Sequence, residues 1–171
     1  MTADHTLQVQ DLSLGYGERT VIEGLDLDLL PGKVTAIVGA NASGKSTLLR
    51  SMSRLLTPRR GQVLLDEPTT FLDVAHQVEV LDLLTDLNRE RGITLVMVLH
   101  DLNLAARYSD RLVMIAGGAV AASGPAAEVL TEQRVREVFG LESRIIADPV
   151  SGTPLMLPIG RHHVASGGSS T

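Results

Sequence analysis

The stretch GANASGKS at positions 39–46 has the residue types and spacing of a loop that could bind phosphate, G-x-x-x-x-G-K-S. Successive backbone amides in such a loop can point at phosphate oxygens, and a helix that follows adds its positive end. Lys45 could reach the terminal phosphates, and Ser46 could ligate Mg²⁺. The candidate binding residues are Gly39, Ala40, Asn41, Ala42, Ser43, Gly44, Lys45, Ser46 and Thr47. The alternative is a plain glycine turn, which the apolar strand-like run before the loop and the helical pattern after it disfavour.

A second candidate is the pair of carboxylates in VLLDE, at positions 63–67. Ligands of open α/β sheets gather at the carboxyl ends of the strands, which is where this pair would lie. Asp66 could hold Mg²⁺ through water, and Glu67 could act as general base on an attacking water molecule. Taken alone, Asp-Glu-Pro would be a solvated turn; the nearby glycine loop favours the functional interpretation.

Two further side chains have balanced interpretations from the residues alone. His100 follows the apolar run ITLVMVL, so it should reach the same edge of the sheet, either near a terminal phosphate or as a capping or surface histidine. Tyr16 follows the first strand-like segment and could stack on an adenine base or cover the edge of the core.

His162 and His163 lie in a polar tail without a third ligand nearby, which predicts solvated side chains rather than a metal site.

The composition limits the class of protein. The 171 residues are 44% hydrophobic but only 2% aromatic, so aliphatic side chains must build the core. The formal net charge of −5 argues against a nucleic-acid partner, and the absence of cysteine excludes thiolate chemistry. No apolar run approaches the roughly 18 residues that a transmembrane helix needs. We therefore expect a cytoplasmic domain that has no transmembrane segment of its own.

The pattern of elements predicts an α/β fold. Short apolar runs at 33–39, 63–65 and 93–99 indicate strands buried on both faces, and helical patterns separate them. This alternation predicts a parallel sheet flanked by helices. Alternating segments at 7–14 and 21–30 indicate an antiparallel hairpin beside it. From Asp73 a long helix is predicted, with Val74, Val78, Leu81, Leu84 and Leu87 as one core-facing stripe.

In this order the motifs resemble those of the ATP-binding cassette (ABC) family, whose fold is a P-loop NTPase core with an added antiparallel β-layer. GANASGKST resembles the phosphate-binding motif, VLLDEPTTFLD the second nucleotide motif, and VMVLHDLNLA the segment with the switch histidine. The resemblance implies ATP and Mg²⁺ as cofactors, with Glu67 and His100 catalytic and Ser46 and Asp66 at the metal. It also implies an adenine-stacking role for Tyr16 and, by way of Asp73, a contact across a homodimer.

The C-terminal run at 107–160, from RYSDRLVMIAGG to GTPLMLPIG, most resembles the ATPase subunits of ferric-siderophore importers. Such a subunit hydrolyses ATP while docked on membrane permease subunits, at the cytoplasmic face of the plasma or inner membrane. The hypothesis of an importer ATPase therefore competes with two others. One is a nucleotide-binding remnant without coupled hydrolysis, and the other is an ABC-type ATPase outside transport, which the acidic net charge disfavours.

Part of the family pattern is missing between Asp66 and Glu67. The family places a glutamine loop, a helical subdomain and an LSGGQ-like signature between a strand resembling GQVLLD and the strand that ends in DEP. Here GQVLLD runs directly into EPTTFLD, and no LSGGQ occurs. We therefore interpret 1–160 as a truncated ATP-binding domain with a deletion junction near 64–67. We expect 161–171 to be a disordered tail, the run 63–65 to take the parallel position, and coupled turnover and permease docking to be impaired.

Overall fold

A computed structural model of the chain describes residues 7–16, 19–55 and 62–160. The elements in chain order are β1 (Leu7–Tyr16), β2 (Arg19–Leu29), β3 (Val34–Gly39), α1 (Lys45–Leu55), β4 (Gln62–Asp66), α2 (Val74–Arg91), β5 (Thr94–Val98), α3 (Leu102–Tyr108), β6 (Arg111–Ala116), β7 (Ala119–Gly124), α4 (Ala126–Val129), α5 (Glu132–Phe139), β8 (Ser143–Ala147) and β9 (Pro154–Pro158). The predicted tail at 161–171 lies outside the described residues.

The central sheet has five strands in the order β4-β5-β3-β6-β7. The first four are parallel and β7 is antiparallel to β6. Every residue of β3 and β5 is buried, which explains why these runs are almost wholly apolar. The hairpin β1–β2 is antiparallel, as predicted. The α/β fold with a parallel sheet and added antiparallel strands is therefore confirmed.

The two faces of the sheet carry separate apolar clusters. Along β3, Ala36 belongs to one cluster and Ile37 to the other, as the alternation of side chains across a strand requires. The first cluster is completed by residues of α2, α3, α4 and α5. The second contains residues of β2 and α1, so the hairpin and the helix after the glycine loop share one face.

The run 63–65 takes the parallel position, as expected. It lies in β4, which pairs with β5 in parallel register through residues such as Leu64 and Val96. The prediction that this strand is buried on both faces is wrong, however, because β4 is the outermost strand of the sheet. Its three apolar residues are only partly buried, whereas those of β5 are fully enclosed.

The helix predicted from Asp73 is α2 (Val74–Arg91), and both of its ends are capped. The Asp73 carboxylate accepts the backbone N–H of His76, and Gly92 ends the helix with φ +62°. The predicted stripe is only partly right. Leu81 is fully buried, but Val74 is 77% exposed because the first turn of the helix projects beyond the core. Asn88 is the other buried residue of α2, and its amide donates to the carbonyls of Gly32 and Ile93.

The C-terminal segment packs against α3. The Asn103 side-chain amide donates to the carbonyl of Met156 and accepts a hydrogen bond from the N–H of the same residue. This side chain therefore satisfies both backbone groups of Met156, as a neighbouring strand would. Asp101 and Thr131 cap α3 and α5. No helix in the described part of the chain is long and apolar enough to cross a membrane.

Candidate nucleotide site

The glycine loop connects β3 to α1 across the carboxyl edge of the parallel sheet. Gly39 admits no side chain, since a Cβ atom there would lie 2.2 Å from the carbonyl oxygen of Ile115 in the neighbouring strand. Gly44 has φ +101°, a conformation that disfavours residues with a Cβ atom. Ala42 also has a positive φ, 61°. The two glycines are thus required by the conformation of the loop and by its close contact with β6.

Lys45 begins α1, and its side chain turns back into the loop. Its Nζ donates to the carbonyl oxygens of Gly39 and Ala40, both at 2.9 Å, and the residue is only 5% exposed. Burial lowers the pKa of this amine, while the carboxylates of Glu67 and Asp66 act in the opposite direction. A buried ammonium held only by carbonyl oxygens and more distant carboxylates is well suited to an anionic ligand.

Ser46 and Asp66 lie side by side although 20 positions separate them in the chain. The Ser46 hydroxyl donates to Asp66 Oδ1 at 3.3 Å. Asp66 is the last residue of β4, so its carboxylate reaches the same edge of the sheet as the glycine loop. A hydroxyl beside a carboxylate is an oxygen donor set that Mg²⁺ accepts.

Glu67 follows β4 directly and is held in place from three directions. His100 Nε2 lies 2.5 Å from Glu67 Oε1, and the hydroxyl of Thr70 donates to Oε2 at 3.1 Å. The backbone N–H of Glu67 donates to the carbonyl of Val98. Glu67 also has φ +49°, a strained conformation for a residue with a side chain. The carboxylate is therefore fixed in orientation at the edge of the sheet.

Lys45, Ser46, Glu67 and His100 lie around one cavity of about 290 Å³. Its lining is Val21, Asn41, Ala42, Ser43, Gly44, Lys45, Ser46, Thr47, Glu67 and His100. The structure thus brings together most of the residues that the sequence singled out. Two participants were missed: Val21, from the hairpin, and Thr70, which orients Glu67. Thr70 has a local signal, since its hydroxyl lies three positions after the carboxylate in a turn, but nothing in the sequence marks Val21.

Five predicted residues do not line this cavity. Gly39, Ala40 and Asp66 lie next to residues that do, whereas Asp73 and Tyr16 have other places in the fold. Asp73 caps α2, where its side chain is 68% exposed and 2.7 Å from His76 Nδ1. Its predicted contact across a dimer stays a prediction. Tyr16 is the last residue of β1 rather than part of a loop. Its side chain lies outside the described part of the structure, and its stacking role also stays a prediction.

The residues present fit a magnesium nucleotide. Lys45 supplies a buried cation, and Ser46 with Asp66 supplies oxygen ligands. The hydroxyl of Ser43 is buried and makes no hydrogen bond within the described part of the chain. A polar group that lacks a partner inside a phosphate-binding loop is consistent with a ligand that completes it.

Comparison with known proteins supports the same conclusion. The profile of the ABC transporter family matches residues 22–119, which is more than half of the chain. The chain belongs to the ABC transporter family. The matched range contains the glycine loop, both carboxylates and His100.

Two relatives with assigned roles are transport ATP-binding proteins. The achromobactin transport ATP-binding protein CbrD of Dickeya dadantii is 33% identical over 253 residues, covering 89% of this chain and 94% of that protein. The ferric enterobactin transport ATP-binding protein FepC of Escherichia coli is 31% identical over 256 residues, covering 91% of this chain and 94% of that protein. The resemblance to importer ATP-binding subunits for iron complexes is therefore confirmed.

Solved structures show the same fold. An inward-facing ABC transporter described as metal-chelate type has a TM-score of 0.74 at 19% identity, covering 91% of this chain and 98% of that one. The dimeric ABC transporter cassette MJ0796 has a TM-score of 0.61 at 18% identity, covering 69% of this chain and 97% of that one. At these identities the similarity concerns the fold alone.

The lengths of the matched segments differ between this chain and its relatives. The match with CbrD extends over 253 residues, yet 89% of a 171-residue chain is only about 152 residues. About 100 positions within that match therefore have no counterpart in this chain. The difference is of the size of a subdomain.

Proposed function

We propose that this protein binds magnesium ATP as a retained half of an importer-type ATPase and does not couple that binding to transport. One observation carries the proposal: Lys45, Ser46 and the Glu67–His100 pair line one cavity at the glycine loop, and Asp66 adjoins it through the hydrogen bond from Ser46. Each of the three groups suits a different part of the ligand, namely the phosphates, the metal and the attacking water.

Some residues of the cavity would bind the nucleotide and the metal, and others would take part in the hydrolysis reaction. Backbone amides of the loop and the Lys45 ammonium would hold the phosphates, and Ser46 and Asp66 would hold Mg²⁺. Bound Mg²⁺ would neutralise the charge that develops on the terminal phosphates. Glu67, oriented by Thr70 and His100, would accept a proton from water at Oε1 or Oε2. His100, at the same edge, would hold that water in place.

The lack of coupling rests on what this sequence does not contain. No LSGGQ-like segment occurs, and Gln62 is the only glutamine between the glycine loop and Asp73. By resemblance, the signature completes the site from the second subunit of a dimer, and the helical subdomain contacts the permease. Phosphoryl transfer depends on charge stabilisation around the transferred group, so half of a site should hydrolyse ATP slowly.

A second candidate is an active importer ATPase for an iron–siderophore complex. The observation that favours it is the close contact between Glu67 and His100, which is an arrangement for hydrolysis rather than for binding alone. This function would require a homodimer and permease subunits, with the protein peripheral on the cytoplasmic face of the membrane.

Thermal unfolding in the presence of Mg·ATP tests whether the protein binds this nucleotide. At a ligand concentration about 100 times Kd, stability should rise by about 2.7 kcal/mol, which is about 5–10 °C in Tm for a chain of this size. Lys45→Ala should abolish this rise. Lys33→Ala is the matched control, since Lys33 precedes β3 at the opposite edge of the sheet and is 53% exposed. No rise in the unmodified protein, or an equal rise in Lys45→Ala, would contradict the proposal.

Steady-state hydrolysis then separates the two candidates. The proposal expects phosphate release at the background rate, equal in the unmodified protein and in Glu67→Gln. A higher rate that Glu67→Gln removes would show that the active importer ATPase is the better description.

A further inference from the structure

The outer edge of β4 carries no neighbouring strand in the described part of the chain. Within the described residues, β4 pairs with β5 on one side and with no strand on the other. The backbone N–H of Glu67 donates to the carbonyl of Val98 in β5. The backbone N–H and C=O groups of successive residues point to opposite sides of a strand, so those of Leu64 and Asp66 point away from β5, towards the open edge. Exposed edges are usually blocked by proline, lysine or a bulge, none of which occurs in QVLLD.

A row of apolar residues lies on the flank of α2 that faces this edge. On the other flank, Tyr108 of α3 donates to Asp82 at 2.8 Å, so α3 covers that side. Val80, Leu83 and Leu87 recur at spacings of three and four on the uncovered flank. Leu83 is 67% exposed. A leucine that is exposed to this extent beside an open strand edge marks a surface that fits a partner.

The charges at the ends of α2 make this surface complementary to itself. Asp73 caps the first turn of α2, where its carboxylate also contacts His76, and Arg91 lies in the last turn, so the two ends of the helix carry opposite charges. Both are exposed. In an antiparallel pair of such helices, Asp73 of each copy would lie opposite Arg91 of the other, with the apolar residues between them.

We propose that a second copy of this chain occupies this surface, which we call the edge face: the outer edge of β4 together with Val80, Leu83 and Leu87. A twofold axis near Leu64 would pair the two β4 strands antiparallel and join the sheets into one of ten strands. The same axis would set the two α2 helices side by side and antiparallel. An isologous contact needs this kind of self-complementary pattern, and both the strand and the charges provide it.

This contact would be independent of the nucleotide. The cavity lies at the carboxyl edge of the sheet, where β3 and β4 end, whereas the edge face runs along the side of β4. The proposal therefore neither requires nor excludes ATP binding, and it can fail without affecting the proposed function.

Sedimentation equilibrium without nucleotide tests the proposal. At micromolar concentrations the expected mass is about twice 18.2 kDa. Leu83→Lys should raise the dimer dissociation constant at least about 100-fold, because it places two lysines in the apolar row. The matched control is Ile146→Lys, at a 46% exposed residue of β8, which should leave the mass unchanged.

Charge reversal provides a second variant that should not impair folding. Arg91→Glu would set like charges together twice in the dimer and should raise its dissociation constant about tenfold, and salt should reduce this effect. Arg89→Glu, in the same helical turn but on the flank towards Tyr108, should have little effect. Circular dichroism and Tm would confirm that each variant is folded.

Amide hydrogen exchange examines the strand pairing directly. The N–H of Leu64 should become protected as protein concentration rises, and Leu83→Lys should remove this dependence. A monomer at about 100 μM would overturn the proposal. So would a dimer that Leu83→Lys and Arg91→Glu do not affect, or a different polypeptide that co-purifies on this surface and is released by Leu83→Lys.

Discussion

His100 Nε2 lies 2.5 Å from Glu67 Oε1, although 33 positions separate these residues in the chain. The contact arises because Glu67 follows β4 and His100 comes two positions after β5, and these two strands are parallel neighbours. Thr70 holds the other carboxylate oxygen. Both oxygens are therefore engaged before any ligand arrives, which limits the orientations that the carboxylate can adopt.

Glu67→Gln should separate ATP binding from hydrolysis. Glutamine keeps the shape of the side chain but cannot act as a base, so Kd for Mg·ATP should stay within about threefold. Any hydrolysis that depends on Glu67 should fall at least about 100-fold. Isothermal titration and phosphate release measure the two quantities. If Glu67→Gln prevented ATP binding, the assigned role of Glu67 would be wrong.

Substitutions of Ser46 and Asp66, the two proposed Mg²⁺ ligands, should affect ATP binding only when magnesium is present. Ser46→Ala and Asp66→Asn each remove one member of the pair that is joined at 3.3 Å. We expect each to weaken Mg·ATP binding about tenfold while leaving binding of ATP in EDTA nearly unchanged. Titrations with and without Mg²⁺ measure this difference. Equal losses in both conditions would indicate a damaged loop rather than a lost metal ligand.

Gly39→Ala tests the close contact between the loop and β6. The new Cβ atom would meet the carbonyl oxygen of Ile115 at 2.2 Å, and a backbone atom cannot move away cheaply. We expect a loss of about 3 kcal/mol in the free energy of unfolding, measured with urea. The control is Gly92→Ala, where φ is +62° but no atom lies within 4 Å, and its cost should be about 1 kcal/mol. Similar costs for the two variants would mean that the contact is not tight.

Local signals account for the parts of the fold that the sequence predicted. Asp73, from which the long helix was predicted, caps α2 because its carboxylate accepts the backbone N–H of His76 three positions later. The glycine loop was predictable for the same reason, since its conformation depends on glycines at fixed spacing. Lys45 and Ser46 then follow from their positions at the start of α1.

The errors concern contacts between distant segments. The sequence of β4 resembles that of a central strand, yet its place at the edge depends on which strands remain to pair with it. Val74 fits the periodicity of a core position, but none of the described residues covers the first turn of α2. Val21 reaches the cavity only because the hairpin and α1 share one face of the sheet. Periodicity reports which residues share a face, but not whether a neighbour covers that face.

The pair Arg107–Asp148 should make part of the stability depend on pH. The Arg107 guanidinium and the N–H of Val150 hold the pKa of the Asp148 carboxyl well below its ordinary value of 3.8. A lowered folded pKa contributes stability that is present above the unfolded value and is lost as the pH falls through the folded one. Arg107→Gln should therefore lower Tm at neutral pH, and its difference from the unmodified protein should shrink below about pH 4.

The control for this pair is Arg136→Gln, which removes a similar ion pair with Glu142 at the surface. Both of its side chains are more than half exposed, whereas Asp148 is 6% exposed. Exposed pairs contribute little because water and salt screen them, so Arg136→Gln should change Tm less at every pH. Thermal unfolding monitored by circular dichroism between about pH 2 and pH 8 measures both variants. A Tm difference for Arg107→Gln that stayed constant below pH 4 would assign its effect to packing of the arginine side chain rather than to the charge of Asp148.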